Sequence, residues 1–140
     1  MKKRMSKHSH TFPIRIYYED TDAGGVVYYA NYLKFAERAR TETLRIAGIE
    51  QSELLRNHKI AFVVRKCEID FLKPARLDDL LTIETHLHDI SKVSIHMQQT
   101  FRRGDETLVK LAVKLAIVGI DMKLVRLPDA IRKAMLKVFE

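Results

Sequence analysis

Residues 18–32 read YEDTDAGGVVYYANY and join an alternating apolar segment to a long helical pattern. The stretch holds three carboxylates, two consecutive glycines and four tyrosines. Gly24 and Gly25 allow the backbone to turn sharply or to approach a ligand closely. A helix that begins just after them would direct unpaired N–H groups and its positive dipole end to the same place. The stretch therefore predicts either a strand-to-helix turn capped by an aspartate, or a site that polarises a carbonyl or binds an anion.

The segments on either side of this stretch predict one strand and one long helix. Residues 12–19 alternate between an apolar and a polar face, which indicates a half-buried strand. Residues 28–47 follow a helical period with alanines in the middle of the apolar side, so this helix can approach its packing partner closely. Arg40 points towards that apolar side, and we expect it to have a buried or interface partner such as Glu37.

The rest of the chain predicts a sheet. After a short helix at 49–57, four segments alternate with a period of two, at 60–71, 80–90, 92–103 and 107–120. Their tight connections predict a largely antiparallel sheet, and one long helix on such a sheet makes an α+β fold. A short amphipathic helix is expected from Pro128 onwards.

The strand at 60–71 carries apolar side chains on both faces. The pattern places Ala61 and Val63 with Cys67 on one face, and Phe62 and Val64 on the other. One helix cannot cover so much apolar surface, so the pattern predicts an oligomer.

Length and composition are those of one globular domain. The chain has 140 residues, 46% of them hydrophobic, which is enough to bury a core without disulfides. Its single cysteine excludes an internal disulfide and favours a reducing compartment such as the cytoplasm. No apolar run approaches the ~20 residues that span a bilayer. We expect a disordered basic tail at residues 1–11 and a single domain at 12–140, without an integral membrane segment.

The net charge of +7 does not demand a nucleic-acid partner. Four of the positive charges lie before His8, at Lys2, Lys3, Arg4 and Lys7, which leaves +3 for the remaining residues. A charge of that size suits a small phosphorylated ligand equally well. We therefore expect no nucleic-acid binding.

These stretches together resemble the hotdog-fold acyl-CoA thioesterases of the 4-hydroxybenzoyl-CoA thioesterase family, in its bacterial Tol-Pal-associated branch. Residues 17–28, 31–33, 37–42, 62–66 and 74–79 carry the resemblance, in the right order and spacing. It implies a hotdog fold, in which a five-stranded antiparallel sheet wraps a long central helix. It also implies cytoplasmic homodimers joined edge to edge, with active sites at the subunit interface, and their doubling to a homotetramer.

The resemblance also assigns the residues of the site. It implies that Asp22 is the catalytic carboxylate, either as nucleophile or as general base, while Asp20 is structural. The backbone N–H of Tyr29 would hold the thioester oxygen, although the Tol-Pal-associated branch usually has His at this position. The substrate would contact residues around them, namely Gly24, Gly25, Val27, Tyr28 and Asn31.

The CoA end of a substrate needs cations for its phosphates, and we single out Arg65 and Lys66 for this purpose. No cofactor and no metal are expected, because His86 and His88 share a strand face without a third ligand at a suitable spacing. Cys67 lies on an apolar strand face and is expected to be a core residue.

The resemblance implies hydrolysis of short-chain or aromatic acyl-CoA thioesters to free acid and CoA. The alternative is a non-catalytic adaptor with the same fold that binds acyl carrier protein or an envelope-complex partner. The Tyr29 substitution is the feature that favours the alternative.

Overall fold

A computed structural model describes Ser6 and residues 8–140. The chain forms five strands and three helices in these residues: β1 His10–Arg15, α1 Asn31–Ile46, α2 Gln51–Glu53, β2 Ile60–Phe71, β3 Leu80–Ile90, β4 Ser94–Arg103, β5 Glu106–Gly119 and α3 Asp129–Phe139. A 3-10 turn at Tyr18–Asp20 precedes α1, and a π-helical turn at Leu54–His58 extends α2.

The five strands form one antiparallel sheet in the order β1-β3-β4-β5-β2, with α1 packed against it. The buried face of α1 includes Phe35, Ala36 and Ala39, and the alanines allow the close approach that the sequence predicts. The ring of Tyr32, on the first turn of α1, packs edge to face with the ring of Phe101 in β4, with 5.5 Å between the ring centroids. The predicted α+β class and hotdog arrangement are confirmed.

Two predicted boundaries around the acidic stretch are wrong. β1 ends at Arg15 rather than at residue 19, because the carboxylate of Asp20 accepts the Tyr17 N–H at 2.8 Å and closes a turn. α1 begins at Asn31, three residues later than predicted. At the N-terminus β1 includes His10 and Thr11, which the sequence assigned to the tail. Residues 1–5 and 7 of the predicted tail lie outside the described residues.

The predicted faces of β2 are also wrong in its first half. Val64 pairs with Leu115 and Lys66 pairs with Lys114, so the strand has a bulge at Arg65. A bulge adds one residue and reverses the facing of everything before it. Phe62 and Val64 therefore share a face with Cys67, and Ala61 and Val63 lie on the opposite face.

Arg40 is buried, as expected, but its partner is not Glu37. Its Nη1 donates to the side-chain oxygen of Gln99 at 3.0 Å, and Gln99 in turn donates to the Ala36 carbonyl at 2.9 Å and to Thr85 at 3.1 Å. Burial lowers the pKa of Arg40, although the charge of Glu37 opposes this shift. This polar group ties α1 to the middle of the sheet.

Candidate active site

Residues 21–27, which we call the acidic hairpin, turn back on themselves ahead of α1. Thr21 and Val27 form an antiparallel bridge, and the Asp22 N–H donates to the Val26 carbonyl at 2.9 Å. The Gly25 N–H closes the turn on the Asp22 carbonyl at 3.0 Å, with φ of 77° at Gly25. This left-handed conformation explains the need for glycine there. The hairpin presents Asp22 at its start.

The carboxylate of Asp22 is held from one side only. Its Oδ1 accepts the Gly24 N–H at 2.8 Å, and the residue is exposed. Within the described residues no donor contacts Oδ2. A Cβ at position 24 would lie 3.2 Å from Oδ1, so glycine lets the backbone approach the carboxylate this closely. Asp22 is thus oriented by its own turn while one oxygen stays available.

Asp20 holds the loop together, in agreement with the structural role expected for it. Besides the carboxylate contact to Tyr17, its carbonyl accepts the Tyr28 N–H at 3.0 Å and the side-chain amide of Asn31 at 2.9 Å. Asn31, predicted to contact substrate, therefore uses its side-chain amide nitrogen in a bond inside the protein. Val27, also predicted to contact substrate, is 5% exposed and lies in the core.

The entry to α1 leaves backbone donors unused. Asn31 and Tyr32 donate back to the carbonyls of Tyr28 and Tyr29, at 2.9 and 3.3 Å. The N–H groups of Tyr29 and Ala30 have no backbone acceptor in the described part of the chain, and no side chain caps the helix. Although the helix begins later than predicted, these two donors are suited to an anionic oxygen.

Three exposed aromatic rings line this entry. The ring centroids of Tyr28 and Tyr29 lie 4.9 Å apart. Tyr29 and Phe71 make a T-shaped contact with 6.3 Å between their ring centroids. A side-chain hydrogen bond with Tyr29 raises the pKa of Tyr28. Phe71, at the end of β2, was missed by the sequence interpretation. The position of Phe71 at the end of a predicted strand, two residues before Lys73-Pro74, could have indicated an exposed ring.

A second loop, residues 72–79, packs against the acidic hairpin. The Val27 N–H donates to the Ala75 carbonyl at 2.9 Å, and Val26 and Arg76 form an antiparallel bridge. The Ala75 N–H donates to the Tyr32 hydroxyl at 3.2 Å in a buried position. Burial raises the pKa of this phenol.

Arg65 and Lys66 lie away from these groups within one chain. Six positions of β2 separate Arg65 from Phe71, which is about 20 Å of strand. The Lys66 ammonium forms an exposed ion pair with the Glu68 carboxylate, with 3.2 Å between nitrogen and oxygen. A single chain therefore does not bring the two predicted CoA-binding cations to the acidic hairpin.

The other residues weighed in the sequence lie outside the candidate site. Residues 8–140 and Ser6 hold no group of three His, Cys, Asp or Glu side chains suited to a metal ion. The rings of His88 and His96 stack at 6.4 Å. Cys67 faces the core, and burial raises the pKa of its thiol. None of the helices in the described residues is long and apolar enough to cross a membrane.

Known proteins match this chain over nearly its whole length. Residues 17–137 match the thioesterase-like superfamily. Acyl-CoA thioesterase YbgC of Haemophilus influenzae is 45% identical over 131 residues, 93% of this chain and 96% of that protein. Acyl-CoA thioester hydrolase YbgC of Escherichia coli is 41% identical over 129 residues, 92% and 94% of the two chains.

A solved structure agrees with these sequence relatives. The crystal structure of a probable thioesterase from Bartonella henselae is 40% identical, with a TM-score of 0.83, and the match covers 86% of this chain and 99% of that one. The match of 121 consecutive positions to the superfamily includes the acidic hairpin, all of α1 and the strands β2 to β5. The chain therefore belongs to the thioesterase-like superfamily, in the same family as the YbgC acyl-CoA thioesterases.

Proposed function

We propose that the protein hydrolyses acyl-CoA thioesters to free acid and CoA, with Asp22 as the catalytic carboxylate. The proposal rests on one arrangement of groups in a single segment of the chain. An exposed carboxylate is oriented on a glycine turn, and the same segment continues into a helix entry with unused N–H donors at Tyr29 and Ala30. The names of the family members of 41–45% identity support the reaction class.

The carboxylate of Asp22 can act in two ways, as a nucleophile or as a general base. As nucleophile, an oxygen of Asp22 attacks the thioester carbon, CoA leaves as thiolate, and water hydrolyses the resulting anhydride. As general base, Asp22 takes a proton from a water that attacks the same carbon, the C–S bond breaks, and the proton passes to the departing CoA sulfur. In both cases the carbonyl oxygen becomes negative and needs donors. An N–H such as that of Tyr29 can contribute about 3 kcal/mol to the stability of that oxyanion.

The rings around the helix entry suggest where the acyl group binds. Tyr28, Tyr29 and Phe71 are 47%, 62% and 51% exposed, and together they form an apolar wall beside the proposed oxyanion donors. Short-chain and aromatic acyl groups would pack on this wall. Tyr29 stands where the Tol-Pal-associated branch usually has His, and its ring centroid lies 4.9 Å from that of Tyr28. We therefore assign it an orienting function instead of proton transfer.

We further propose that the protein works as a cytoplasmic homodimer or dimer of dimers. β2 is at the edge of the sheet and exposes Val64 and Phe71, 53% and 51% of their surfaces. Long edge strands with apolar side chains favour pairing with another strand. A second copy on this edge would cover the aromatic wall and would supply Arg65 and Lys66 for the CoA phosphates. An association with the Tol-Pal system is part of the same proposal and rests on the family resemblance.

A panel of acyl-CoA thioesters tests the proposed function. Release of free thiol is measured for short-chain, long-chain and aromatic acyl groups, and we expect turnover of short-chain or aromatic members. The absence of turnover across the whole panel would contradict the proposal. If the inactive protein also formed a stable complex with acyl carrier protein, the adaptor function would replace it.

A further inference from the structure

Arg103, the last residue of β4, contacts three groups at once. Its Nη1 donates to the Asp79 carboxylate at 2.7 Å and to the Pro74 carbonyl at 3.4 Å. Its Nη2 donates to the Glu106 carboxylate at 2.8 Å, and Glu106 also accepts the Lys73 ammonium at 2.7 Å. Because Glu106 begins β5, the tip of the β4–β5 hairpin holds both ends of the 72–79 loop.

The loop that Arg103 holds is the one that contacts the acidic hairpin. The Asp79 carboxylate that binds Arg103 also accepts the Arg76 N–H at 2.8 Å. Arg76 forms the bridge to Val26, and the adjacent Ala75 accepts the Val27 N–H. A continuous set of hydrogen bonds therefore runs from the guanidinium through the loop to the second strand of the acidic hairpin.

We propose that Arg103 is a positioning residue for the Asp22 carboxylate and acts through the 72–79 loop. The inference rests on the proposed role of Asp22 in thioester hydrolysis. A guanidinium that forks between two carboxylates makes short, directional, charge-assisted bonds, so it fixes an orientation as well as a contact. Arg103 does not touch Asp22. Without the fork the hairpin remains closed, but its carboxylate loses its fixed place relative to the helix entry.

The neighbouring Arg102 provides a matched control. Its side chain is 35% exposed, against 32% for Arg103, and it also bonds to a carboxylate. Its Nε donates to Glu84 at 3.0 Å and its Nη1 to Thr107 at 2.9 Å, and neither residue belongs to the 72–79 loop. Loss of Arg102 removes a comparable ion pair from the same strand end and leaves the path to the hairpin intact.

The experiment compares Arg103→Met with Arg102→Met in the full chain. The backbone amide chemical shifts of Val27, whose N–H bonds to the 72–79 loop, and of Gly24, whose N–H bonds to the Asp22 carboxylate, report on the hairpin in the ligand-free protein. We expect Arg103→Met to move both shifts and Arg102→Met to leave them in place. For thioester hydrolysis, we expect Arg103→Met to lower kcat about tenfold with KM retained, because small misplacements of a catalytic group cost rate.

Unchanged Gly24 and Val27 shifts in Arg103→Met would overturn the proposal, even if activity fell. Since these shifts need no substrate, a wild-type protein without thioesterase activity would refute the proposed function and still leave the positioning path testable. Arg103→Lys, which keeps the charge and loses the fork, serves if the methionine variant does not fold, with the same two shifts expected. A double variant with Asp79→Asn and Arg103→Met should change the Gly24 shift no more than Arg103→Met alone, because both changes break the same set of hydrogen bonds. Fully additive shift changes would also overturn the proposal.

Discussion

Gly24 and Gly25 are neighbours with different functions in the acidic hairpin. Gly24 lets the backbone N–H reach the Asp22 carboxylate, since an added Cβ would lie 3.2 Å from Oδ1. Gly25 supplies the positive φ of 77°, and nothing lies within 4 Å of where its Cβ would be. The first glycine therefore serves the position of a carboxylate, and the second serves the path of the chain.

Alanine substitutions separate these two functions. Gly24→Ala should displace the Asp22 carboxylate by a few tenths of an ångström and lower kcat by up to about tenfold, with the melting temperature nearly retained. Gly25→Ala should cost roughly 1 kcal/mol of folding free energy, because a residue with Cβ is strained at this φ. Activity assays and thermal unfolding of both variants check the prediction. Loss of stability in the first variant alone would contradict it.

At the scale of elements, the fold depends on a polar contact inside an apolar layer. Gln99 is completely buried in β4 and bonds to Arg40, to the Ala36 carbonyl and to Thr85. Arg40 is 7% exposed, so its charge depends on this acceptor. The contact fixes the helix along the sheet and thereby fixes where the helix entry meets the acidic hairpin.

Removal of the acceptor should destabilise the protein more than removal of the pair. Gln99→Leu leaves the buried guanidinium without its partner, and we expect a loss of about 2–3 kcal/mol in urea unfolding. Arg40→Met combined with Gln99→Leu should regain part of that loss, because no charge is left unpaired. A double variant that is less stable than Gln99→Leu alone would contradict this account.

Glu106 gives the contact between the β4–β5 hairpin and the 72–79 loop a dependence on pH. Hydrogen bonds from Lys73 and then from Arg103 lower the pKa of this carboxyl from 4.5 to about 2. A carboxyl whose pKa is lower in the folded state stabilises the protein above its unfolded pKa, and that contribution is lost as pH falls through the folded pKa. The stabilising contribution of Glu106 is therefore lost between about pH 4.5 and pH 2.

Thermal unfolding of wild type and Glu106→Gln measures this contribution. We expect a constant difference in melting temperature above about pH 5, which shrinks steadily towards pH 2. A difference that is independent of pH between 5 and 2 would mean that the carboxylate charge does not stabilise the loop contact.

At the scale of the whole molecule, the sequence predicted the elements better than their contacts. Alternation and helical periods located every strand of the sheet, and the acidic stretch identified the family. The bulge at Arg65 was not visible, because it reverses a face without changing the composition of the strand. The Arg40–Gln99 pair was not visible either, because 59 positions separate the two residues and only the folded sheet brings them together. Phe71 reaches Tyr29 for the same reason.

The acidic hairpin could be predicted as a candidate site, but its contacts with the rest of the fold could not. Residue types and spacing indicated a stretch with paired carboxylates, two glycines and a helix start, and the family resemblance singled out Asp22 in it. The contacts of the 72–79 loop with Val26 and Val27 join elements far apart in the chain, and no local pattern marks them. Long-range hydrogen bonds of this kind depend on the packing of the whole sheet, so they appear only in the structure.

The most direct measurement of the central claim is kcat for Asp22→Asn on the best acyl-CoA substrate, with Glu19→Gln as the matched control. Both variants replace a carboxylate in the same stretch with the corresponding amide, and Glu19 is exposed on the turn before the hairpin. If Asp22 is the reacting carboxylate, its variant should lose about 10²- to 10⁴-fold in kcat while Glu19→Gln stays near wild type. A kcat for Asp22→Asn within about threefold of the wild-type value would contradict the account, because a catalytic carboxylate contributes at least about a hundredfold.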